Sequence, residues 1–302
     1  MGLAIGVDLG GTKIEVIALD EGGGELLRRR RPTPRGSYEA TLDAIAELVL
    51  GAEQEAGRQG TIGIGHPGAI SPATGLIKNA NSVWLNDRPL DRDLTAKLGR
   101  EVAFANDANC LALSEATDGA GAGADVVFAV ILGTGVGGGI CVHGRVLVGP
   151  NAIAGDWGHN PLPWPRDEER PGPPCYCGLD GCIETWCSGT GLGNDHERVT
   201  GERLAGPEII ARAAAGDAAC DATVRRYEDR LARALASIVN VLDPEVIVLG
   251  GGVSNVRRIY DRVTALWPGY VFSDTVRTAL RPPMHGDSSG VRGAAWLGRD
   301  LA

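Results

Sequence analysis

The stretch Ala4-Ile5-Gly6-Val7-Asp8-Leu9-Gly10-Gly11-Thr12-Lys13 is an apolar strand that runs into a glycine turn, and a second apolar strand follows it. Glycines in such a turn let backbone N–H groups approach a ligand because no Cβ intervenes, and successive N–H groups form an anion site. A plain hairpin turn is the alternative. The polar side chains gathered around the glycines favour phosphate binding, with a carboxylate beside an accompanying cation. The predicted contacts are Asp8, Gly10, Gly11, Thr12 and Lys13.

The same arrangement recurs near the middle of the chain. Val126 to Leu132 is apolar, a glycine run from Gly133 to Gly139 follows, and Ile140 to Val142 resumes the apolar pattern. The run matches Gly-x-Gly-x-x-Gly, but a dinucleotide site requires a helix next, whereas Ile140 to Arg145 is typical of a strand and a turn. The recurrence indicates two halves of related design and a second phosphate turn. Its predicted contacts are Gly133, Thr134, Gly135 and Gly137.

A third glycine run follows the buried strand pattern Val246 to Leu249. Consecutive glycines let a flat group such as an adenine ring or a ribose lie against the backbone, although a strand-to-helix turn would use the same residues. The predicted contacts are Gly250, Gly251, Gly252 and Asn255.

Helical patterns separate these strands. Ser37 can cap a helix, and a longer apolar stripe runs from about Cys220 to Leu242, where Asp243-Pro244 ends it. The segment Pro161 to Pro174 is rich in proline and charge, so we expect an irregular exposed loop there. Strands that alternate with helices predict an α/β fold.

Composition excludes several classes of partner. The 302 residues carry a formal net charge of −9, so neither nucleic acid nor an anionic membrane is an expected partner. The basic run Arg28 to Arg31 fits a solvated surface edge better than an anion site. No apolar run approaches the roughly 18 residues of a membrane span, and the start lacks a secretion signal. Seven unevenly spaced cysteines favour a reducing, cytoplasmic location.

Asp107 lies where the apolar stretch Val102 to Ala105 meets a predicted helix, Ala108 to Ala116. A helix N-terminus stabilises a carboxylate, and an ionised carboxylate can orient a hydroxyl and accept its proton during phosphoryl transfer. A helix N-cap is an equally good interpretation of Asp107 by itself. Asn79 and Asn81 offer donors and acceptors that suit a sugar, with an ordinary surface loop as the alternative.

The run Pro174 to Glu184 contains Cys175, Cys177 and Cys182, and His159 lies sixteen residues before the first cysteine. Three thiolates and one imidazole make a closed tetrahedral zinc site without an open position for water. Spare thiols or a disulfide are the alternatives. The spacing favours a structural zinc, which would also fix the position of Glu184.

Together these motifs resemble the ROK family of bacterial sugar kinases over nearly the whole chain. The cysteine signature Cys175-x-Cys177-Gly178-x-x-Gly181-Cys182-x-Glu184 is the most specific of them. The stretches Lys78 to Asn86, His159 to Trp164 and His285 to Gly293 look most like the bacterial fructokinases of that family.

The resemblance implies a two-lobed actin-like, ribonuclease-H-like fold with a zinc loop. Its domains would be residues 1–107 plus 289–302 and residues 108–288. It implies that ATP and Mg²⁺ bind the glycine turns and Asp8, that Zn²⁺ is structural, and that Asp107 is the catalytic base. Homodimers are frequent in the family. The implied sugar contacts are Gly68, Asn79, Asn81, Asn106, Asp156, His159 and Glu184.

Two departures from the family affect the sugar contacts. Asp156 stands where the family usually has Glu, so its carboxylate is one methylene shorter, and His66 stands where an aliphatic residue is common. We expect an ATP-dependent kinase acting on the 6-hydroxyl of fructose, and of mannose as a second substrate. Glucose or an N-acetylhexosamine is the alternative, and a non-catalytic sugar sensor is a more distant one. A ROK-type repressor would need a DNA-binding segment before the first strand.

Overall fold

The computed structural model describes residues 2–286, 289–299 and 301. The strands are β1 (Ala4–Leu9), β2 (Lys13–Leu19), β3 (Glu25–Pro32), β4 (Thr61–His66), β5 (Ala69–Ile70), β6 (Ile77–Lys78), β7 (Ala103–Asn106), β8 (Val126–Leu132), β9 (Val136–Val142), β10 (Arg145–Val146), β11 (Val246–Gly250) and β12 (Ala279–Arg281). The α-helices are α1 (Tyr38–Ala56), α2 (Leu90–Leu98), α3 (Asp107–Thr117), α4 (Ile183–Cys187), α5 (Gly189–Thr200), α6 (Gly206–Ala214), α7 (Ala218–Leu242), α8 (Arg258–Leu266) and α9 (Ser289–Arg299).

The chain forms two compact units. The first contains Met1–Gly123, Gly139–Gly155 and Met284–Ala302, and the second contains Ala124–Gly138 and Asp156–Pro283. The domain bounds expected from the sequence stay a prediction. Of the stretch His285 to Gly293, residues 287 and 288 lie outside the described part.

Two five-stranded sheets have the same strand order. The first runs β3-β2-β1-β4-β7, and the second runs β10-β9-β8-β11-β12. In each sheet the strand that precedes a glycine turn is central, with its hairpin partner on one side and later parallel strands on the other. This common order confirms the internal repeat that the two strand–turn–strand patterns indicated.

The first sheet is covered on both faces. Ile5 and Val7 pack with Ile45 and Val49 of α1 in one apolar core. On the other face α9 comes so close that a Cβ on Gly6 would lie 2.1 Å from the carbonyl oxygen of Val291. Glycine in β1 therefore permits the last helix to pack directly on the central strands.

The helix boundaries follow from capping residues. Ser37 caps α1 by accepting a hydrogen bond from the N–H of Ala40, and Asp217 caps α7 in the same way from Ala219 and Cys220. The helix α7 ends at Asp243, which takes a left-handed conformation before Pro244. The predicted cap at Ser37 and the predicted stop at Asp243 are confirmed, while α7 begins two residues earlier than its apolar stripe suggested.

Two segments test the expectations about loops and edges. The run Arg28 to Arg31 lies on β3, an edge strand, and its side chains pair with the carboxylates of Glu15, Glu25, Glu47 and Glu55. The segment Pro161 to Pro174 is less irregular than expected, because Asp167–Glu169 forms a 3-10 turn and Glu169 is buried. The buried arginines Arg230 and Arg233 donate to Glu169 and hold that turn in place.

None of the helices in the described part of the chain is both long enough and apolar enough to span a membrane.

Candidate active site and metal loop

The first glycine turn joins β1 to β2 and is held by neighbouring side chains. The N–H of Gly10 donates to the carbonyl of Lys13 at 3.0 Å, and the hydroxyl of Thr33 donates to the carbonyl of Gly10 at 2.7 Å. A Cβ on Gly10 would lie 2.9 Å from the Lys13 oxygen, so this position requires glycine. The turn keeps Thr12 exposed and is compatible with the predicted phosphate contacts.

Asp8 ends up among other carboxylates. Asp8 on β1 lies opposite the buried Glu15 on β2, and the charge of Asp107 also acts on it. Burial, followed by the charges of Asp107 and Glu15, raises the pKa of Asp8 to about 7. A cation here would offset this concentration of negative charge, so the oxygen-rich site fits Mg²⁺, which prefers carboxylate oxygens.

Asp107 is the first residue of α3, and Asn106 rather than Asp107 is the N-cap. The N–H of Ala108 donates to Asn106 Oδ1 at 2.9 Å and to Asp107 Oδ1 at 2.8 Å. Asn106 fills the capping role that the sequence left open for Asp107. The carboxylate of Asp107 therefore lies at the positive end of a helix, which favours its ionised form.

Asn106 also joins α3 to the sugar loop, the segment that carries the predicted sugar contacts Asn79 and Asn81. Its Nδ2 donates to the carbonyl of Gly68 at 2.9 Å. Gly68 has a φ of 71°, and a Cβ there would lie 2.3 Å from the carbonyl of Lys78. The structure thus brings Gly68 and Asn106 next to the loop that carries the exposed residues Asn79 and Asn81.

Two residues of this region differ in role from what their types suggested. Asn86 holds the backbone of Ala80 through two hydrogen bonds, so it shapes the sugar loop. His66 is buried beside Phe104, and its Nδ1 lies 3.2 Å from the carbonyl of Pro67. Burial lowers the pKa of His66, so this ring is neutral near pH 7.

In the second unit, the second glycine turn is held by α5 and by the segment Pro174 to Glu184, called the metal loop because it carries the three predicted cysteine ligands. The N–H of Val136 donates to Glu184 Oε2 at 2.9 Å, and the N–H of Gly189 donates to the carbonyl of Gly133 at 2.8 Å. A Cβ on Gly135 would lie 2.4 Å from Glu184 Oε2. A Cβ at position 135 would therefore displace the Glu184 carboxylate from the turn, a contact that spacing alone does not reveal.

A cavity of about 970 Å³ opens beside this turn. Four of the predicted nucleotide contacts line it: Gly133, Thr134, Gly252 and Asn255. Gly251, with a φ of 81°, allows the third glycine run to pass within contact of Leu132. The volume of the cavity falls within the range of small-molecule pockets.

The remaining walls of the cavity were not predicted from the sequence. They come from α5, α6 and the segment between them, including Thr190, Leu192, Gly206, Pro207 and Ile210. The sequence feature that could have indicated these walls is the set of glycines at 189, 191 and 193, because a glycine-rich helix start allows close approach of a ligand or backbone.

The metal loop brings its four predicted ligands together. One ligand atom from each of His159, Cys175, Cys177 and Cys182 lies within 4.8 Å of the other three. The Sγ atoms of Cys177 and Cys182 are 3.6 Å apart, and Cys175 Sγ is 3.5 Å from His159 Nδ1. Zn–S bonds of about 2.3 Å at tetrahedral angles give edges of about 3.8 Å, so this donor set fits Zn²⁺.

The metal loop also positions the predicted sugar contacts of the second unit. The N–H of Glu184 donates to the carbonyl of Gly158 at 2.8 Å, and the indole of Trp157 donates to the carbonyl of Gly137 at 3.2 Å. Asp156 is exposed on the same segment. His159, Glu184 and the second glycine turn thus form one connected cluster.

Comparison with known proteins agrees with this arrangement. A sequence model described as the ROK family matches residues 4–300. The N-acetyl-D-glucosamine kinases of Shigella boydii and Escherichia coli K12 are each 40% identical over 296 residues, covering 97% of this chain and 98% of the relative.

Solved structures give the same result at the level of the fold. A ROK hexokinase from Thermus thermophilus matches with a TM-score of 0.88 and 33% identity, covering 99% of this chain and 98% of the other. A ROK family glucokinase from Streptomyces griseus, in complex with glucose and AMPPNP, has a TM-score of 0.81 and 30% identity, covering 99% and 100%. These matches confirm the expected actin-like α/β architecture.

Proposed function

The chain belongs to the ROK family, and from that premise we propose that it transfers the γ-phosphoryl group of ATP to the 6-hydroxyl of a hexose. Sugar kinase activity is common to the relatives named above, so the chain is a sugar kinase. The observation that carries the finer proposal is the carboxylate of Asp107 at the start of α3, close enough to Asp8 for its charge to raise the pKa of Asp8.

Asp107 is suited to the chemistry because its carboxylate lies at the helix N-terminus, whose partial positive charge stabilises an anionic base. It would align the sugar hydroxyl and take its proton as the oxygen attacks phosphorus. Asn106, held by Gly68, fixes the start of the helix and with it the carboxylate. Gly68, Asn79, Asn81 and Asn106 are the proposed sugar contacts of the first unit.

The two glycine turns are the proposed phosphate sites. Asp8 would hold Mg²⁺, which would offset the negative charge of the phosphates. The cavity beside Gly133, Thr134, Gly252 and Asn255 is the proposed adenosine site, because glycine backbone and apolar side chains form its walls. Asp156, His159 and Glu184 are the proposed sugar contacts of the second unit.

Two hexose classes are candidates for the substrate. The named relatives include N-acetyl-D-glucosamine kinases and a glucokinase, and these favour N-acetylglucosamine or glucose over the fructose expected from the sequence. Fructose remains a second candidate because Lys78 to Asn86 and His159 to Trp164 resemble the fructokinases. One or two hydroxyl contacts separate these substrates, and a site that hydrogen-bonds a hydroxyl can discriminate strongly against its absence.

The test is ADP release with Mg-ATP against N-acetylglucosamine, glucose, fructose, mannose and N-acetylmannosamine, one sugar at a time. We expect the highest kcat/KM for N-acetylglucosamine or glucose, with the phosphate found on the 6-position by NMR. A preference for fructose would establish fructose as the substrate and would still support the proposed kinase activity. Intact sugar binding without turnover on any sugar would contradict the kinase proposal and support a sensor.

We also propose that His159, Cys175, Cys177 and Cys182 hold a structural Zn²⁺. The Cys177→Ser variant is expected to lose bound zinc and to unfold at a lower temperature, because a structural zinc contributes to the free energy of folding. Zinc content by mass spectrometry and the melting temperature check this together. Cys220→Ser, a buried cysteine on α7, is the control for metal content. Wild-type protein purified without zinc would contradict the proposal.

A further inference from the structure

We propose that Glu197 binds the ribose of the nucleotide, its carboxylate accepting hydrogen bonds from the 2′- and 3′-hydroxyl groups. The inference rests on the proposed function, because it takes the cavity of about 970 Å³ beside the second glycine turn as the adenosine site. It names a side chain that would make the enzyme distinguish ribonucleotides from deoxyribonucleotides, a role that the glycine runs cannot fill.

The helix α5 leads from the second glycine turn along the wall of the cavity. Its start is fixed to the turn, because the N–H of Gly189 donates to the carbonyl of Gly133 at 2.8 Å and the hydroxyl of Thr190 donates to the carbonyl of Thr134 at 2.9 Å. Glu197 lies seven residues after Thr190, so the helical rise places it about 10 Å farther from the turn along the axis. This separation is comparable with that between the phosphates and the sugar of a nucleotide.

The side of α5 that faces the cavity is polar. Thr190, Asn194 and Glu197 follow one another at a spacing of four and then three residues, which puts them on one face of the helix, and all three line the cavity. The buried carboxylate of Asp195 lies off this face and pairs with Arg230 at 2.9 Å. Glu197 is therefore the carboxylate that α5 presents to a ligand.

The carboxylate of Glu197 is available to such a ligand. Glu197 and Arg203 are the two charged residues among those that line the cavity, and both are exposed. Within residues 2–286, 289–299 and 301, the side chain of Glu197 forms no ion pair or hydrogen bond, with Arg203 or with any other residue. Both oxygens of Glu197 can therefore accept hydrogen bonds from a molecule in the cavity.

The chemistry of a carboxylate selects the ribose among the parts of ATP. An ionised carboxylate only accepts hydrogen bonds, and the ribose offers two neighbouring O–H donors that match its two oxygens. The phosphates are anionic and would be repelled, while the adenine offers its amino group alone. Dinucleotide-binding folds hold a ribose hydroxyl with a carboxylate in the same way. The apolar walls from Leu204, Pro207 and Ile210 are left for the flat base.

The test uses Glu197→Ala, at an exposed helical position where alanine supports the helix. At a saturating concentration of the preferred hexose, wild type should use ATP with a kcat/KM about tenfold higher than that for 2′-deoxy-ATP or 3′-deoxy-ATP, the effect of one hydrogen bond to a charged group. In Glu197→Ala we expect this ratio to fall to within about twofold, because no carboxylate remains to distinguish the nucleotides.

Binding is measured separately from turnover through the Kd of ADP and of 2′-deoxy-ADP, which requires no hexose. We expect wild type to prefer ADP and Glu197→Ala to lose that preference. The Glu197→Gln variant keeps one carbonyl acceptor, so its preference should be intermediate. The KM for the hexose should not change in either variant, because the proposed contact is with the nucleotide alone.

The matched control is Glu208→Ala on α6, which removes an exposed carboxylate that pairs with Arg212 and does not line the cavity. It should keep the wild-type ratio of ATP to 2′-deoxy-ATP. Equal use of the three nucleotides by wild type, or an equal loss with all three in Glu197→Ala, would overturn the inference alone. A change confined to the ratio of ATP to GTP would also overturn it and assign Glu197 to the base.

The proposed function fails in a different way. A wild-type protein that prefers ADP to 2′-deoxy-ADP through Glu197, but phosphorylates no hexose, would overturn the proposed kinase reaction and support the ribose contact. A wild-type protein that binds no ADP would overturn both.

Discussion

Replacing Asp107 with asparagine is expected to lower kcat by about 10²–10⁴-fold, the range typical of a lost general base. Asparagine keeps the shape of the side chain and can still accept the hydrogen bond from the N–H of Ala108 at the start of α3. The helix should therefore keep its N-terminal geometry while the group that accepts the proton is gone. Steady-state ADP release at saturating hexose and ATP measures the change.

The KM for the hexose is expected to change much less than kcat, because an interaction made mainly in the transition state affects turnover rather than binding. Asp43→Asn, on an exposed face of α1, is the control for the loss of one carboxylate and should keep wild-type kinetics. Wild-type turnover from an Asp107→Asn preparation free of native enzyme would remove Asp107 from the mechanism.

The parts of the site that the sequence predicted are those whose chemistry is local. A glycine turn between two strands, or three cysteines within eight positions, contains its own geometric constraint. The two turns, the third glycine run and the metal ligands were accordingly predicted by residue number, and the structure gathers the four metal ligands within 4.8 Å. The sequence also predicted the Ser37 cap and the stop at Asp243, which depend on neighbours only a few residues away.

The parts that were missed depend on contacts between residues far apart in the chain. Asn106 rather than Asp107 caps α3, because Gly68, 38 residues away, holds its amide. The contact between Glu184 and Val136 spans 48 residues, and the cavity walls from α5 and α6 depend on how those helices pack. No local pattern encodes which distant partner a polar side chain will find, so these roles need the folded chain.

The Glu169→Gln variant is expected to lose about 3 kcal/mol in the free energy of unfolding, because it breaks a buried ion pair and leaves the cations behind. Glu169 accepts hydrogen bonds from Arg230 at 2.7 Å and from Arg233 at 2.8 Å, and both arginines are at most 2% exposed. Arg233 also donates to the carbonyls of Pro163 and Trp164. These contacts hold the loop between His159 and Cys175 against α7, so the loss should also weaken zinc retention.

Urea unfolding at pH 7 measures the change, and the exposed neighbour Glu168 supplies the control, since Glu168→Gln should stay within about 0.5 kcal/mol of wild type. A loss of similar size in both variants would contradict a special role for Glu169. The pH dependence gives a second, independent check. Burial by itself would raise the pKa of Glu169, but hydrogen bonds from Arg233 and Arg230 outweigh it and lower the pKa from 4.5 to about 2.

A carboxylate with a lowered pKa stabilises the fold fully above its unfolded pKa, and that stabilisation disappears as the pH falls through the folded pKa. The stability difference between wild type and Glu169→Gln should therefore be constant from neutral pH down to about pH 5 and shrink from there toward pH 2. The zinc content of both proteins is measured at each pH, so that acid loss of zinc is distinguished from the titration of Glu169. A difference that stayed constant down to pH 3 would mean that the variant perturbs packing around Arg230 and Arg233 and that the charge of Glu169 contributes little.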